Sequence, residues 1–173
     1  MKDVDSEVIS IFEETNALLR GHFILRSGMH SGYFFQCAQV CQYMDKVTRL
    51  ATLIIETITF KNINTIVSPA MGGLVIGQEI ARQLRARFVF LEKVNDRLAL
   101  RRNFSFGKKD RILLVEDVVT KGGRAKEAVD IISAFECELV GVVSMVDRSS
   151  GDLNFGVPFE ALLKMNFHTY YAD

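Results

Sequence analysis

A chain of 173 residues is long enough for one domain with a real core. Hydrophobic residues make up 49% and charged residues 24%, and Lys plus Arg match Asp plus Glu at 21 each, so no global basic field marks a nucleic-acid binder. No apolar run approaches the roughly 20 residues that span a bilayer, and the acidic start MKDVDSEVIS does not read as a signal peptide.

Asp5 or Ser6 can cap a first helix running to about Arg20, with Val8, Ile11, Phe12, Leu18 and Leu19 apolar and Gly21 as its stop. The polar and aromatic segment GHFILRSGMHSGYFFQC follows. Next, the i, i+3, i+4, i+7 spacing of Val47, Leu50, Ala51, Ile54, Ile55 and Ile58 predicts a helix over roughly 45–60. Strands and helices then alternate: strand 65–68, helix 74–84, strand 88–91, strand 112–115, helix 125–135 and strand 139–146. Such alternation argues for an α/β fold on a parallel sheet. Residues 92–109 interrupt it, and a stretch that long in a compact domain reads as a flexible hairpin with a function. The tail from Pro158 is expected to return as a strand. Cys37, Cys41 and Cys137 are an odd, sparse set, expected to be reduced thiols of a cytoplasmic protein. With His22 and His30 they match no standard zinc spacing.

The stretch RILLVEDVVTKGGR, Arg111 to Arg124, carries the most information. Ile112 to Val115 suits a strand buried on both faces. Glu116 and Asp117 follow, then Val118 and Val119, then the turn Thr120, Lys121, Gly122 and Gly123. Carboxylates accept hydrogen bonds from vicinal hydroxyls. Glycines let backbone N–H groups converge on a phosphate at a helix N-terminus. The pattern is neither a P-loop nor a dinucleotide fingerprint. Ser68-Pro69-Ala70-Met71-Gly72-Gly73 is a second small-residue turn between a strand and a helix. Residues 92–109 hold Lys93, Arg97, Arg101, Arg102, Lys108 and Lys109 against only Glu92 and Asp96, in a chain otherwise neutral.

The string ILLV-ED-VV-TKGG closely resembles the phosphoribosyl pyrophosphate (PRPP) motif of type I phosphoribosyltransferases. FILRSGMHSGYFFQC, with Ser27, Gly28, Ser31, Tyr33, Phe34 and Phe35, resembles the substrate-binding stretch of the orotate-specific members. SPAMGG is similar to their pyrophosphate loop, and 92–109 to their mobile catalytic loop. The resemblance covers about residues 21–151. It implies a central parallel sheet flanked by helices, one domain over 1–173, and a small hood from about 1–40 and 158–173. It also implies transfer of the phosphoribosyl group of PRPP to orotate, Mg²⁺ held mainly through PRPP, and a homodimer whose basic loop closes into a neighbouring site.

By the same resemblance, Lys93 and Asp117 are the candidate catalytic residues. PRPP falls to Glu116, Asp117, Val118, Val119, Thr120, Lys121, Gly122, Gly123, Arg124, Ser68, Ala70, Met71, Gly72, Gly73, Lys93 and Arg97. Orotate falls to Arg26, Phe34, Phe35, Thr120 and Arg148, the guanidinium forks suiting a carboxylate. Three departures stand out: Arg124 where a small hydroxyl residue is frequent, Gly72 where a lysine is frequent, and no histidine in the basic loop. A buried aromatic cluster competes for the Phe-rich segment, a structural salt bridge for Asp147-Arg148, and a solvated hairpin for 92–109. A purine-base phosphoribosyltransferase and a noncatalytic PRPP-sensing regulator are the alternative functions.

Overall fold

The computed structural model describes residues 4–24, 28–165 and 169–171. Helix α1 (Val4–Glu14) buries Val8, Ile11 and Phe12. It ends short of the predicted Arg20. Thr15 Oγ1 donates to the Ile11 carbonyl at 2.8 Å, and Asn16 takes a left-handed φ of 55°, which Asn tolerates and which closes a helix. Leu18, Leu19 and Arg20 therefore open a strand, β1 (Leu18–Ile24), which pairs antiparallel with β2 (His30–Phe35). A 3₁₀ turn, Cys37–Gln42, leads into α2 (Met44–Thr57). That helix stops before the predicted Phe60 because Ile58 is extended, with ψ 144°.

The alternating part follows: β3 (Thr65–Pro69), α3 (Gly73–Leu84), β4 (Arg87–Val94), β5 (Arg97–Leu100), β6 (Arg111–Val119), α4 (Gly123–Ser133), β7 (Glu138–Asp147), β8 (Phe159–Lys164) and β9 (Thr169–Tyr170). Six strands form one sheet in the order β5-β4-β3-β6-β7-β8. All its pairings are parallel except β4 with β5. β1, β2 and β9 form a separate antiparallel sheet. The tail thus divides: β8 extends the large sheet and only β9 joins the small one, so the predicted hood boundary at 158 falls too early.

The period of two along β6 sorts the core. Leu113 and Val115 pack on one face with Ile76 and Ile80 of α3 and with α1 and α2. Ile112 and Leu114 pack on the other with Ala125, Ala128 and Ile132 of α4. Four successive residues, Ile112 to Val115, are 0% exposed, as expected of a strand covered on both sides. Helix α3 approaches closely because Gly77 carries no Cβ, which would otherwise strike Ser68. β3 connects through α3 to β4 on one side, whereas β6 connects through α4 to β7 on the other. The winding reverses between β3 and β6, and their carboxyl ends leave the crevice in which open α/β sheets bind ligands.

Candidate active site

Both small-residue turns end at that crevice. β6 runs to Val119, so Glu116, Asp117, Val118 and Val119 are strand residues, not turn residues. Val118 packs on the first core face and Val119 is buried in the second. Their side chains hold the strand end in place, and both residues also line the small cavity beside the turn. Glu116 is 6% exposed. Burial, and then the charge of Asp117, push the Glu116 carboxyl up to about 8. Burial raises Asp117 as well. At neutral pH Glu116 therefore keeps a proton, and the pair offers both a donor and acceptors to a diol.

The turn itself is exposed at Thr120 and Lys121. Gly122 has φ 74°, and a Cβ there would press on Leu153 at 3.1 Å and on the Phe155 ring at 3.3 Å. Two independent reasons thus make residue 122 glycine: the left-handed backbone and the packing beneath it. The turn encloses a cavity of about 60 Å³ bounded by Glu116, Thr120, Gly122, Gly123 and Arg124. Its rim includes the first residues of α4, where backbone N–H groups and the helix dipole favour an anion.

The 68–73 turn meets this motif through one contact. A Cβ on Gly72 would fall 2.5 Å from both Asp117 oxygens, so the two turns share a wall. Other residues of the turn are committed elsewhere. Ser68 is 0% exposed, and its side chain lies against the positions of Gly73 and Gly77 under α3. That burial turns the hydroxyl toward α3. The Ala70 amide donates to Leu91 O at 2.8 Å, so it is unavailable to an anion. Gly73 packs on the Val115 carbonyl. Met71 is 82% exposed. The Ala70–Met71 peptide is cis.

Sequence reasoning gave no sign of one set of neighbours of Asp117. Burial raises the Cys41 thiol to about 11, with Asp117 as the second cause. Cys37 is raised by burial first and Asp117 next. The 3₁₀ turn therefore lies close to Asp117, a juxtaposition no spacing rule in the sequence indicates.

Residues 92–109 are largely structured. β4 and β5 form a hairpin whose tip is Asn95 and Asp96, both at positive φ. Leu98 and Phe106 are buried, and Phe106 meets Phe135 edge-on at 5.3 Å. The expected hairpin is present, and these apolar residues anchor the segment to the core. Four of its six cations form ion pairs. Lys93 pairs with Asp96 at 2.6 Å, Arg101 and Arg102 with Glu92 at 3.4 and 2.5 Å, and Lys108 with Glu136 at 3.6 Å. Arg97 is exposed beside the tip. The tip lies on its own chain's α4, where Glu127 accepts from the Leu98 amide at 2.7 Å.

On the far side, the Arg148 amide donates to Val119 O at 2.8 Å, which sets Arg148 beside the phosphate turn. Arg148, Thr120 and Lys121 line a cavity of about 480 Å³ together with residues 149–153, within the size range of small-molecule sites. Burial lowers the Arg148 pKa. Asp147 caps the Ser149 amide at 2.8 Å and pairs with Lys164 at 3.7 Å. Of the aromatic segment, Phe35 is a core residue, 8% exposed and edge-on to Phe12 at 5.1 Å. Phe34 is 40% exposed and lies 5.6 Å from the Phe23 ring. Alternation along β2 explains the split, and it removes Phe35 from the predicted orotate contacts. Arg26 and Ser27 lie outside the described residues.

Among the described residues no helix is long and apolar enough to cross a membrane. Residues 39–154 match the phosphoribosyl transferase domain family. The chain is 42% identical over 167 residues to the orotate phosphoribosyltransferase of Desulforamulus reducens, covering 96% of this chain and 87% of that one. It is 43% identical over 169 residues to that of Erythrobacter litoralis, covering 96% and 88%. The fold matches the crystal structure of orotate phosphoribosyltransferase from Aeropyrum pernix with a TM-score of 0.77 at 18% identity, over 91% of this chain and 93% of that one. With acids, phosphate turn and glycine loop meeting at the switch point of such a fold, the chain belongs to the phosphoribosyltransferase family, within its orotate phosphoribosyltransferase branch.

Proposed function

We propose that the chain transfers the 5-phosphoribosyl group of PRPP to orotate, giving orotidine 5′-monophosphate and pyrophosphate in pyrimidine synthesis. The observation that carries this is the shared wall between Gly72 and Asp117, which puts the two turns within reach of one sugar bearing a phosphate and a pyrophosphate. The 5′-phosphate sits at Thr120 to Arg124, on the N-terminus of α4. Glu116 and Asp117 hold the ribose hydroxyls. Pyrophosphate lies along Met71 to Gly73, with Lys93 and Arg97 supplying positive charge. Orotate occupies the cavity beside Arg148, whose guanidinium pairs with its carboxylate. Phe34 and Arg26 complete the hood side.

In this reading the C1′–O bond to pyrophosphate lengthens, positive charge develops on the ribose, and the orotate ring nitrogen attacks C1′. The bonding pair leaves with pyrophosphate, where Lys93, Arg97 and backbone N–H groups stabilise the negative charge. The remaining contribution is positioning of nitrogen and C1′. Mg²⁺ suits the site as an ion carried by PRPP, since it is commonly held by one or two carboxylates plus substrate phosphates and Asp117 would supply a carboxylate there. Bound, it would neutralise charge on the pyrophosphate. We place the enzyme in the cytoplasm as a homodimer. A spectrophotometric assay of orotate consumption with PRPP and Mg²⁺ tests the proposal: orotate should be consumed, and adenine and uracil should not. Turnover of adenine alone would support the purine-base alternative, and PRPP binding without any turnover the regulatory one.

A further inference from the structure

We propose that Glu127 is a positioning residue, whose two carboxylate oxygens hold the tip of the basic hairpin and the Arg124 guanidinium together above the phosphate turn. The inference rests on the phosphoribosyl-transfer reading of that turn. Glu127 Oε1 accepts from the Leu98 amide at 2.7 Å. Glu127 Oε2 accepts from Arg124 Nη1 at 3.0 Å. The same Arg124 nitrogen reaches the Asp96 carbonyl at 3.5 Å, and the Asp96 carboxylate holds Lys93 at 2.6 Å. One carboxylate on the first turns of α4 is thus wired to both ends of the hairpin tip.

Three observations make this more than a surface ion pair. Leu98 belongs to an edge strand, and its amide points away from β4; Glu127 gives that donor a charged acceptor where the sheet offers none. The Leu98 side chain is buried in the same core cluster as Val119 and Ala125, so the bond fixes a packed strand. Arg124 also bounds the 60 Å³ cavity of the turn. Its planar fork carries five donors, enough to keep Glu127 and meet a phosphate together. Glu127 adds a second carboxylate to that of Asp96 beside the cations Arg124 and Lys93. Glu127 therefore keeps the hairpin docked before substrate arrives, and the phosphate adds a second anion on the other side of Arg124.

Hydrogen exchange and kinetics on three proteins test this: wild type, Glu127→Ala and Glu127→Gln. The glutamine keeps an oxygen for the Leu98 amide and loses the charge facing Arg124. In ligand-free Glu127→Ala, amides of residues 93–100 should exchange about tenfold faster or more, the loss of one charged hydrogen bond, while those of 128–132 in α4 keep their rates. Its kcat should fall by about tenfold, and Glu127→Gln should recover hairpin protection to within about threefold while its KM for PRPP rises. Unchanged hairpin exchange in Glu127→Ala would overturn the proposal, and so would faster exchange with an unchanged kcat. The exchange arm is independent of turnover. A wild type inactive on orotate would count against the transfer reading and leave the hairpin contact to be decided by exchange.

Discussion

The Asp117 carboxylate fills the space that a side chain on residue 72 would need: a Cβ on Gly72 falls 2.5 Å from each of its oxygens. Residue 72 has φ −57° and ψ −46°, a conformation any residue adopts, so the glycine is required by its neighbour and not by the backbone. This also accounts for one departure from the family pattern, since a lysine here would displace Asp117. Gly72→Ala should therefore push Asp117 aside with little strain elsewhere. PRPP affinity measured by calorimetry should drop about tenfold or more, the worth of a charged hydrogen bond, with unfolding free energy changed by less than about 1 kcal/mol. Asp117→Asn should weaken PRPP by a similar factor without moving the loop. Unaltered affinity in both variants would remove the acids from the ribose site.

Arg148 is half-buried beside the phosphate turn, held there by its own amide on Val119 O at 2.8 Å. A carboxylate partner suits it better than a neutral ring edge. Arg148→Ala should lower kcat/KM for orotate by about ten- to a hundredfold, as expected for a lost charged hydrogen bond, and leave the KM for PRPP much closer to wild type. Equal turnover of uracil and orotate by the wild-type protein would refute the assignment.

Much of this site is legible along the chain, and the rest fails for identifiable physical reasons. Ile112 to Val115 read correctly as a buried strand leading through a glycine turn into a helix, because a doubly buried strand leaves a local signature. Helix α1 is overrun by six residues because Leu18 and Leu19 continue its apolar spacing, whereas the left-handed stop at Asn16 interrupts it. Phe34 and Phe35 read alike as aromatics, yet strand alternation sends Phe35 to Phe12 and leaves Phe34 outside. The charge excess of 92–109 is visible, but the balancing partner Glu136 lies beyond the segment. The approach of Cys37 and Cys41 to Asp117 is purely tertiary. Glu127 had a local cue, an acid three residues after Arg124 on one helix face.

The buried acid pair should make stability fall with rising pH. Burial pushes Glu116 from an ordinary value of 4.5 up to about 8. Between those values the folded chain holds a proton that the unfolded chain has released. Stability is then full below pH 4.5 and is lost as pH rises through 8, at a slope of at most about 1.4 kcal/mol per pH unit from this group. Asp117 shifts in the same direction. The melting temperature of ligand-free protein should decline from pH 6 to 9, and Glu116→Gln should flatten the decline. A wild-type profile already flat over that range would mean that Glu116 is ionised in the folded protein.

The hairpin sits on its own chain, and that bears on whether Lys93 serves its own site or a neighbour's. Lys93 is paired with Asp96 at 2.6 Å, and Leu98 on the same hairpin is bonded to Glu127 of the same chain at 2.7 Å. Mixing a Lys93→Ala chain with an Asp117→Asn chain distinguishes the arrangements once dimers and subunit exchange are verified by sizing. If Lys93 acts within its own chain, every site in the mixture lacks one group, and activity should equal the mean of the two variants. If it acts across the dimer, each mixed dimer has one site with both groups intact. Random exchange makes half the dimers mixed, so activity should then climb toward about a quarter of the wild-type rate. The docked hairpin predicts the first result. Recovery toward a quarter would show that Lys93 serves the partner's site.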